Sequence, residues 1–170
     1  MSEPTYRRVA LADLDVVQAL NNAAVPAVNG ITMEQFGIFA DEAPFFEVAE
    51  LDGRIVGFLV GLTHPGDVHY DSMNYAWFKE RFGSFLYVDR VVVDPSAHGR
   101  GIGRAFYDHF AAAHGPDHEF LCAEVNIRPR NSQSLAFHDR LGFVAYGEQT
   151  TDGGAKRVTM LAKRLEPTEG

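Results

Sequence analysis

Val91-Val92-Val93-Asp94-Pro95-Ser96-Ala97-His98-Gly99-Arg100-Gly101-Ile102-Gly103-Arg104-Ala105-Phe106 is the stretch from which the rest of the chain can be read. Three β-branched residues end a strand, Asp94-Pro95 stops it, three alternate glycines make a turn, and Arg104 onward continues as a helix. Glycine permits positive φ and lets a ligand approach the main chain closely. The free N–H groups of the helix's first turn then form an anion site that suits a diphosphate. Two phosphate-binding patterns fail here. The P-loop needs a lysine followed by serine or threonine, and Arg104-Ala105 follows Gly103. The dinucleotide fingerprint needs a third glycine where the chain has Arg104 or Phe106.

Outward from this turn the punctuation is regular. Phe85 to Val93 is a strand, Arg104 to His114 a helix closed by Gly115-Pro116, and Glu119 to Asn126 the next strand, which makes one right-handed β-α-β unit. Asn131 to Leu141 is a helix, and Phe143 to Gln149 and Arg157 to Leu165 are strands around the turn Asp152-Gly153-Gly154. Upstream, Thr5 to Val9 is a short strand. Asp13 to Val25 is a helix with Leu14, Val17, Leu20 and Ala24 on one side, and Thr32 caps a second helix over Met33 to Ala40. Phe45 to Leu51 and Arg54 to Leu62 are strands joined by Asp52-Gly53, a two-residue hairpin signal. Between Tyr70 and Phe82 lies an aromatic-rich insertion whose start, Asp71 or Ser72, caps a short helix. The fold class is therefore mixed α/β: a central mixed sheet of about seven strands flanked by about four to five helices.

The 170 residues amount to one domain, 1–170. Lys plus Arg is 15 and Asp plus Glu is 23, a net charge of −8, which argues against nucleic acid or an anionic membrane as partner. Cys122 is the only cysteine, so no internal disulfide forms and a reducing, cytoplasmic setting is expected. The start of the chain lacks the apolar stretch of a signal peptide, and no apolar run approaches the ~20 residues of a membrane span. A metal site is not expected, because Gly115-Pro116 breaks the helix that would align His114 with His118.

His98-Gly99-Arg100-Gly101-Ile102-Gly103 resembles the coenzyme A pyrophosphate loop of the GNAT acyltransferases, with His98 where glutamine or arginine is usual. Asn131-Ser132-Gln133-Ser134-Leu135-Ala136-Phe137-His138-Asp139-Arg140-Leu141-Gly142-Phe143 is similar to that family's second signature, with His138 where tyrosine is common. The resemblance covers roughly Phe45 to Leu165 in element order. It implies that acetyl-CoA is the cofactor, held by the loop amides of Gly99, Arg100, Gly101, Ile102, Gly103 and Arg104. It also implies that the backbone of Val91, Val92 and Val93 pairs with the cofactor's arm like an added strand, and that Asn131 bonds the same arm. Phe137 is counted with this site, although its own chemistry reads as core.

Acyl transfer to an amine needs a base, an oxyanion donor and an acid for the departing thiolate. His138 takes the acid's place, since an imidazole also donates protons. Phe85, Tyr87, Asp89, Val91 and Val93 fall on one strand face with Asp89 as its only acid. Phe120, Cys122, Glu124 and Asn126 fall on another with Glu124 as its only acid. Either is a candidate base, and Glu124 is favoured because it lies near the strand end where such folds open a cleft. Each can equally pair with Arg90 or Arg128 as a structural ion pair. The insertion, with Tyr70, Asp71, Tyr75 and Trp77, reads as an acceptor pocket gripping an ammonium, as a homodimer surface, or as a satellite core. The expected function is N-acetylation of a small-molecule amine or peptide. The alternative is a catalytically idle acyl-CoA-binding module acting as sensor or assembly partner.

Overall fold

A computed structural model describes residues 2–166. The elements run β1 (Thr5–Arg8), α1 (Leu14–Ala23), α2 (Met33–Glu42), β2 (Phe45–Leu51), β3 (Arg54–His64), α3 (Met73–Lys79), β4 (Phe85–Val93), α4 (Ile102–His114), β5 (Phe120–Arg128), α5 (Ser132–Arg140), β6 (Val144–Thr151) and β7 (Lys156–Arg164). Type and order follow the sequence reading, and local chemistry explains the boundaries. Asp52 and Gly53 both take positive φ, 55° and 77°, in the tight turn between β2 and β3. Thr32 and Ser72 cap α2 and α3 by accepting from the backbone N–H groups of Gln35 and Tyr75.

The seven strands form one mixed sheet, ordered β1-β2-β3-β4-β5-β7-β6, in which β4 and β5 are parallel and all other neighbours antiparallel. On one face, Val17, Phe36, Phe39 and Phe78 from the first three helices pack with Phe46, Phe58 and Tyr87. On the other, Ile102, Phe106 and Phe110 of α4 pack on Leu59, Leu86 and Val88. Gly61 shows how tightly α4 sits. A Cβ built there would lie 2.5 Å from the Phe110 ring. Gly61→Ala is therefore expected to overpack the core and destabilise by about 1–3 kcal/mol. A lowered urea midpoint with unchanged slope would show this; an unchanged midpoint would mean the ring can move aside freely.

Two irregularities of β4 create the site. Pairing with β5 is confined to Phe85–Phe120, Leu86–Leu121 and Tyr87–Cys122, after which the strands part. The edge of β4 from Val88 to Val93 therefore faces a gap. Against β3, Val60 pairs with Arg90 but Gly61 pairs with Val88, so Asp89 is an extra, bulged residue. The bulge corrects the expected strand face. Phe85 and Tyr87 lie with Val92 in the core under the first helices, whereas Val91 and Val93 pack with Leu86 and Val88 on the α4 side. Simple alternation fails because one residue is spent on the bulge.

Candidate active site

Two cavities meet at the gap between β4 and β5. The larger, about 890 Å3, is lined by residues 91–93, 98, 99 and 101–104, with Asn131 and Phe137. The smaller, about 360 Å3, is bordered by Tyr70, Asp71, Asp89, Arg90, Tyr107 and Glu124. Both volumes suit small-molecule sites. Val91, Asn126, Asn131, Ser134 and His138 border both cavities and mark their junction.

The glycine turn forms the floor of the larger cavity. Gly99 and Gly101 have φ of 81° and 75°, and Gly101 is the N-cap of the 13-residue α4. A Cβ built at either glycine would meet nothing within 4 Å, so the space above the turn is open. Open space over the first N–H groups of a long helix fits a diphosphate. The free edge of β4 beside it fits an extended amide-bearing arm. His98 fastens the turn: its Nε2 donates to the Val93 carbonyl at 2.9 Å, and its Nδ1 faces the Gln133 amide at 3.4 Å. Arg100 is exposed and does not border the cavity. Asn131 Oδ1 accepts from the Ser134 backbone N–H, capping α5 at the junction. Phe137 lies against Gly103, where a Cβ would be 3.4 Å from its ring.

The smaller cavity holds the acids. Glu124 accepts from the Tyr87 hydroxyl at 2.8 and 3.0 Å. Burial, and then the nearby Asp89 charge, push its carboxyl up to about 8, against hydrogen bonds that favour the anion. Asp89 is committed elsewhere: it pairs with Arg90 at 2.8 Å, and the two side chains are 2% and 1% exposed. Arg90 also donates to Asn21 Oδ1, the Asn29 carbonyl and Asn29 Oδ1 at 2.9–3.0 Å. This network ties β4 to the segment after α1. Its only sequence signal was a charged pair inside an apolar strand.

The insertion divides in two. Tyr70 and Asp71 border the smaller cavity, with the Tyr70 hydroxyl 3.4 Å from Arg90. Tyr75 and Trp77 border neither cavity. Tyr75 donates to the Thr63 carbonyl at 2.9 Å and packs on Phe85 and Tyr87. Trp77 is 9% exposed and lies against Gly147, with the Arg81 guanidinium 3.7 Å over its ring. Both rings are spent on core packing, since they follow Ser72 onto the buried side of α3.

His138 lies at the junction, 2% exposed, and Tyr107 from α4 meets it at 2.6 Å. Tyr107 escaped the sequence reading because it shares the buried face of α4 with Ile102, Phe106 and Phe110.

A mixed sheet parts between two parallel strands, with a glycine cradle on one side of the gap and the partly buried Glu124 carboxyl on the other. The chain belongs to the acetyltransferase (GNAT) family, whose model matches residues 14–143. It is an acyltransferase with acetyl-CoA as cofactor. No curated protein sequence matches significantly. Among solved structures, the ribosomal-protein-S18-alanine N-acetyltransferase from Escherichia coli is 16% identical with a TM-score of 0.71, covering 98% of this chain and 96% of that one. Naa20 of Chaetomium thermophilum, solved with a bisubstrate analogue, is 24% identical with a TM-score of 0.75, covering 95% and 86%. The putative acetyltransferase yncA of Salmonella typhimurium, solved with acetyl-CoA, is 18% identical with a TM-score of 0.70, covering 99% and 98%. At these identities the likeness is one of fold. Among the described residues no helix is long and apolar enough to cross a membrane.

Proposed function

We propose that this chain is a single N-acetyltransferase domain that transfers an acetyl group from acetyl-CoA to a primary amine of a small molecule, an amino acid or a peptide. A cytoplasmic setting belongs to the same reading, supported by one buried, unpaired cysteine. The observation that carries the reading is Glu124. A carboxyl pushed up to about 8 borders a cavity that opens into the one above the glycine turn. Acids with raised pKa values concentrate in the clefts of working sites, which favours an enzyme over an idle module.

Acetyl-CoA supplies the activated acetyl group. The backbone N–H groups at Gly99, Gly101, Gly103 and Arg104 bind its diphosphate. The free edge at Val91, Val92 and Val93 binds the arm and offers N–H groups to the developing oxyanion. Asn131 holds the arm where the cavities join. Glu124 takes a proton from the incoming ammonium, whose ordinary pKa near 10 keeps it charged at neutral pH. Asp71 and Tyr70, bordering the same cavity, attract that cation. Asp89 positions Arg90 and through it the segment between α1 and α2. His138 acts on the thiolate side of the junction. The ribosomal-protein acceptor of the S18-alanine enzyme widens the acceptor class beyond small amines.

The test is calorimetry with acetyl-CoA followed by thiol release against a panel of amines, amino acids and peptides. Heat of binding and thiol release with at least one amine are expected. No heat at millimolar acetyl-CoA would sink the cofactor site. Binding without release for every acceptor would favour the acyl-CoA-binding module.

A further inference from the structure

Tyr107 and His138 form a buried pair whose proton arrangement the structure fixes. His138 Nδ1 lies 2.8 Å from the Ser134 carbonyl. A carbonyl only accepts, so Nδ1 carries the ring hydrogen. The neutral ring then has a bare Nε2, and the Tyr107 hydroxyl 2.6 Å away donates to it. Phe137, Phe143 and Tyr107 surround the imidazole with ring centroids 5.0–5.4 Å away. Ser134 Oγ, 3.4 Å from Nδ1, is the other polar neighbour, and no charged side chain is bonded to the ring among the described residues. Burial holds His138 below its ordinary value, opposed by the Ser134 bond. The resting ring therefore has no Nε2 proton to give. It has a lone pair, reached from the smaller cavity through a hydroxyl.

We infer that Tyr107 and His138 form a two-way proton shuttle from the acceptor nitrogen to the departing sulfur, with Tyr107 touching the reacting atoms and His138 storing the proton. The inference rests on the acetyl-transfer reading above. A primary ammonium carries three protons and the product amide one. Glu124 takes the first to solvent before attack. As the N–C bond forms, the nitrogen passes the second to the Tyr107 oxygen while the Tyr107 proton moves to Nε2. The ring becomes imidazolium and Tyr107 stays a neutral phenol. As the C–S bond breaks, Nε2 returns its proton to Tyr107, and Tyr107 hands one to the sulfur. The pair ends as it began, with one proton moved from nitrogen to sulfur. Tyr107 never becomes a phenolate, which its surroundings oppose: burial, and then the Glu124 charge, raise the phenol well above its usual range.

Tyr107→Phe keeps the ring and removes the hydroxyl. Its folding is checked by circular dichroism and melting before either measurement. The first is 15N NMR of His138 in the protein without acetyl-CoA. At neutral pH an uncharged ring protonated on Nδ1 is expected, and Tyr107→Phe should shift the Nε2 resonance while Nδ1 stays in place. A cationic ring, or one protonated on Nε2, would overturn the shuttle whether or not any amine is acetylated. The second is turnover at saturating acetyl-CoA with an amine the wild type accepts. The variant should lose ~10²–10⁴-fold in kcat, keep its acetyl-CoA affinity, and lose the curved dependence of rate on deuterium content that two moving protons give. Turnover within about threefold of wild type would also overturn it. A wild type that acetylates no amine is a different failure: it removes the acceptor reading, while the NMR result stands by itself.

Discussion

Gly101→Glu should abolish the rise in melting temperature that acetyl-CoA gives the wild-type protein. At a hundredfold excess over Kd that rise represents about 2.7 kcal/mol. Gly101 holds φ at 75° at the N-cap of α4. A side chain there costs about 1–2 kcal/mol of backbone strain, but its Cβ meets no protein atom within 4 Å. The fold therefore has room for the substitution, and the damage falls on the ligand. The new carboxylate occupies the open space above the turn and turns an anion site into an anionic one. Gly101→Ala separates the two effects, since it carries the strain without the charge and should retain measurable binding. Calorimetry on both variants decides the matter. Gly101→Glu binding acetyl-CoA as tightly as wild type would mean that the glycine turn does not hold the diphosphate.

Glu124→Gln is expected to cut turnover by ~10²–10⁴-fold, the usual contribution of a positioned base, while sparing acetyl-CoA affinity. The wild-type rate should climb with pH toward about 8 as Glu124 ionises, and that limb should vanish in the variant. An unchanged pH–rate profile would remove Glu124 from the chemistry. The same shift has a consequence for stability. Burial raises the folded-state pKa from an ordinary 4.5 to about 8. Between those values the folded state holds a proton that the unfolded state has lost. Stability therefore falls as pH rises through that window, by about 1.4 kcal/mol for each unit of separation. Glutamine does not titrate, so Glu124→Gln should gain on wild type in melting temperature as pH rises from 5 to 8. A constant difference across that range would place Glu124 in the ordinary carboxylate range.

The glycine turn and the cap at Asn131 were legible because each needs a residue type that little else requires: positive φ at Gly99 and Gly101, and a short side-chain acceptor at the head of α5. The element order was legible for a similar reason, since Asp52-Gly53, Asp94-Pro95 and Gly115-Pro116 punctuate it. Glu124 stood out as the only acid on its strand face. What stayed hidden depends on contacts across long sequence separations. Tyr107 looks like one more apolar-face residue until α4 is laid against α5 and His138. Tyr75 and Trp77 look like pocket aromatics until α3 is turned so that both pack inward. Two partners of Arg90, Asn29 and Asn21, lie 61 and 69 residues away.

The extra residue at Asp89 serves the protein twice: its carboxylate neutralises the buried Arg90, and its backbone interrupts the strand. Remove that one residue and regular alternation would still send Phe85, Tyr87 and Val92 to one side and Leu86, Val88, Val91 and Val93 to the other. Every buried apolar side chain of β4 would keep its layer, but Arg90 would lose its carboxylate partner. The strand would lose its local bend and added twist, and its edge would then be free to run on beside β5 past Tyr87 and Cys122, closing the gap from which both cavities open. A one-residue deletion here would thus keep the apolar layers, leave the Arg90 guanidinium buried without its carboxylate, and close the site. In this segment it is chain length that keeps the cleft from healing into an ordinary sheet, while the identity of the added residue keeps Arg90 paired.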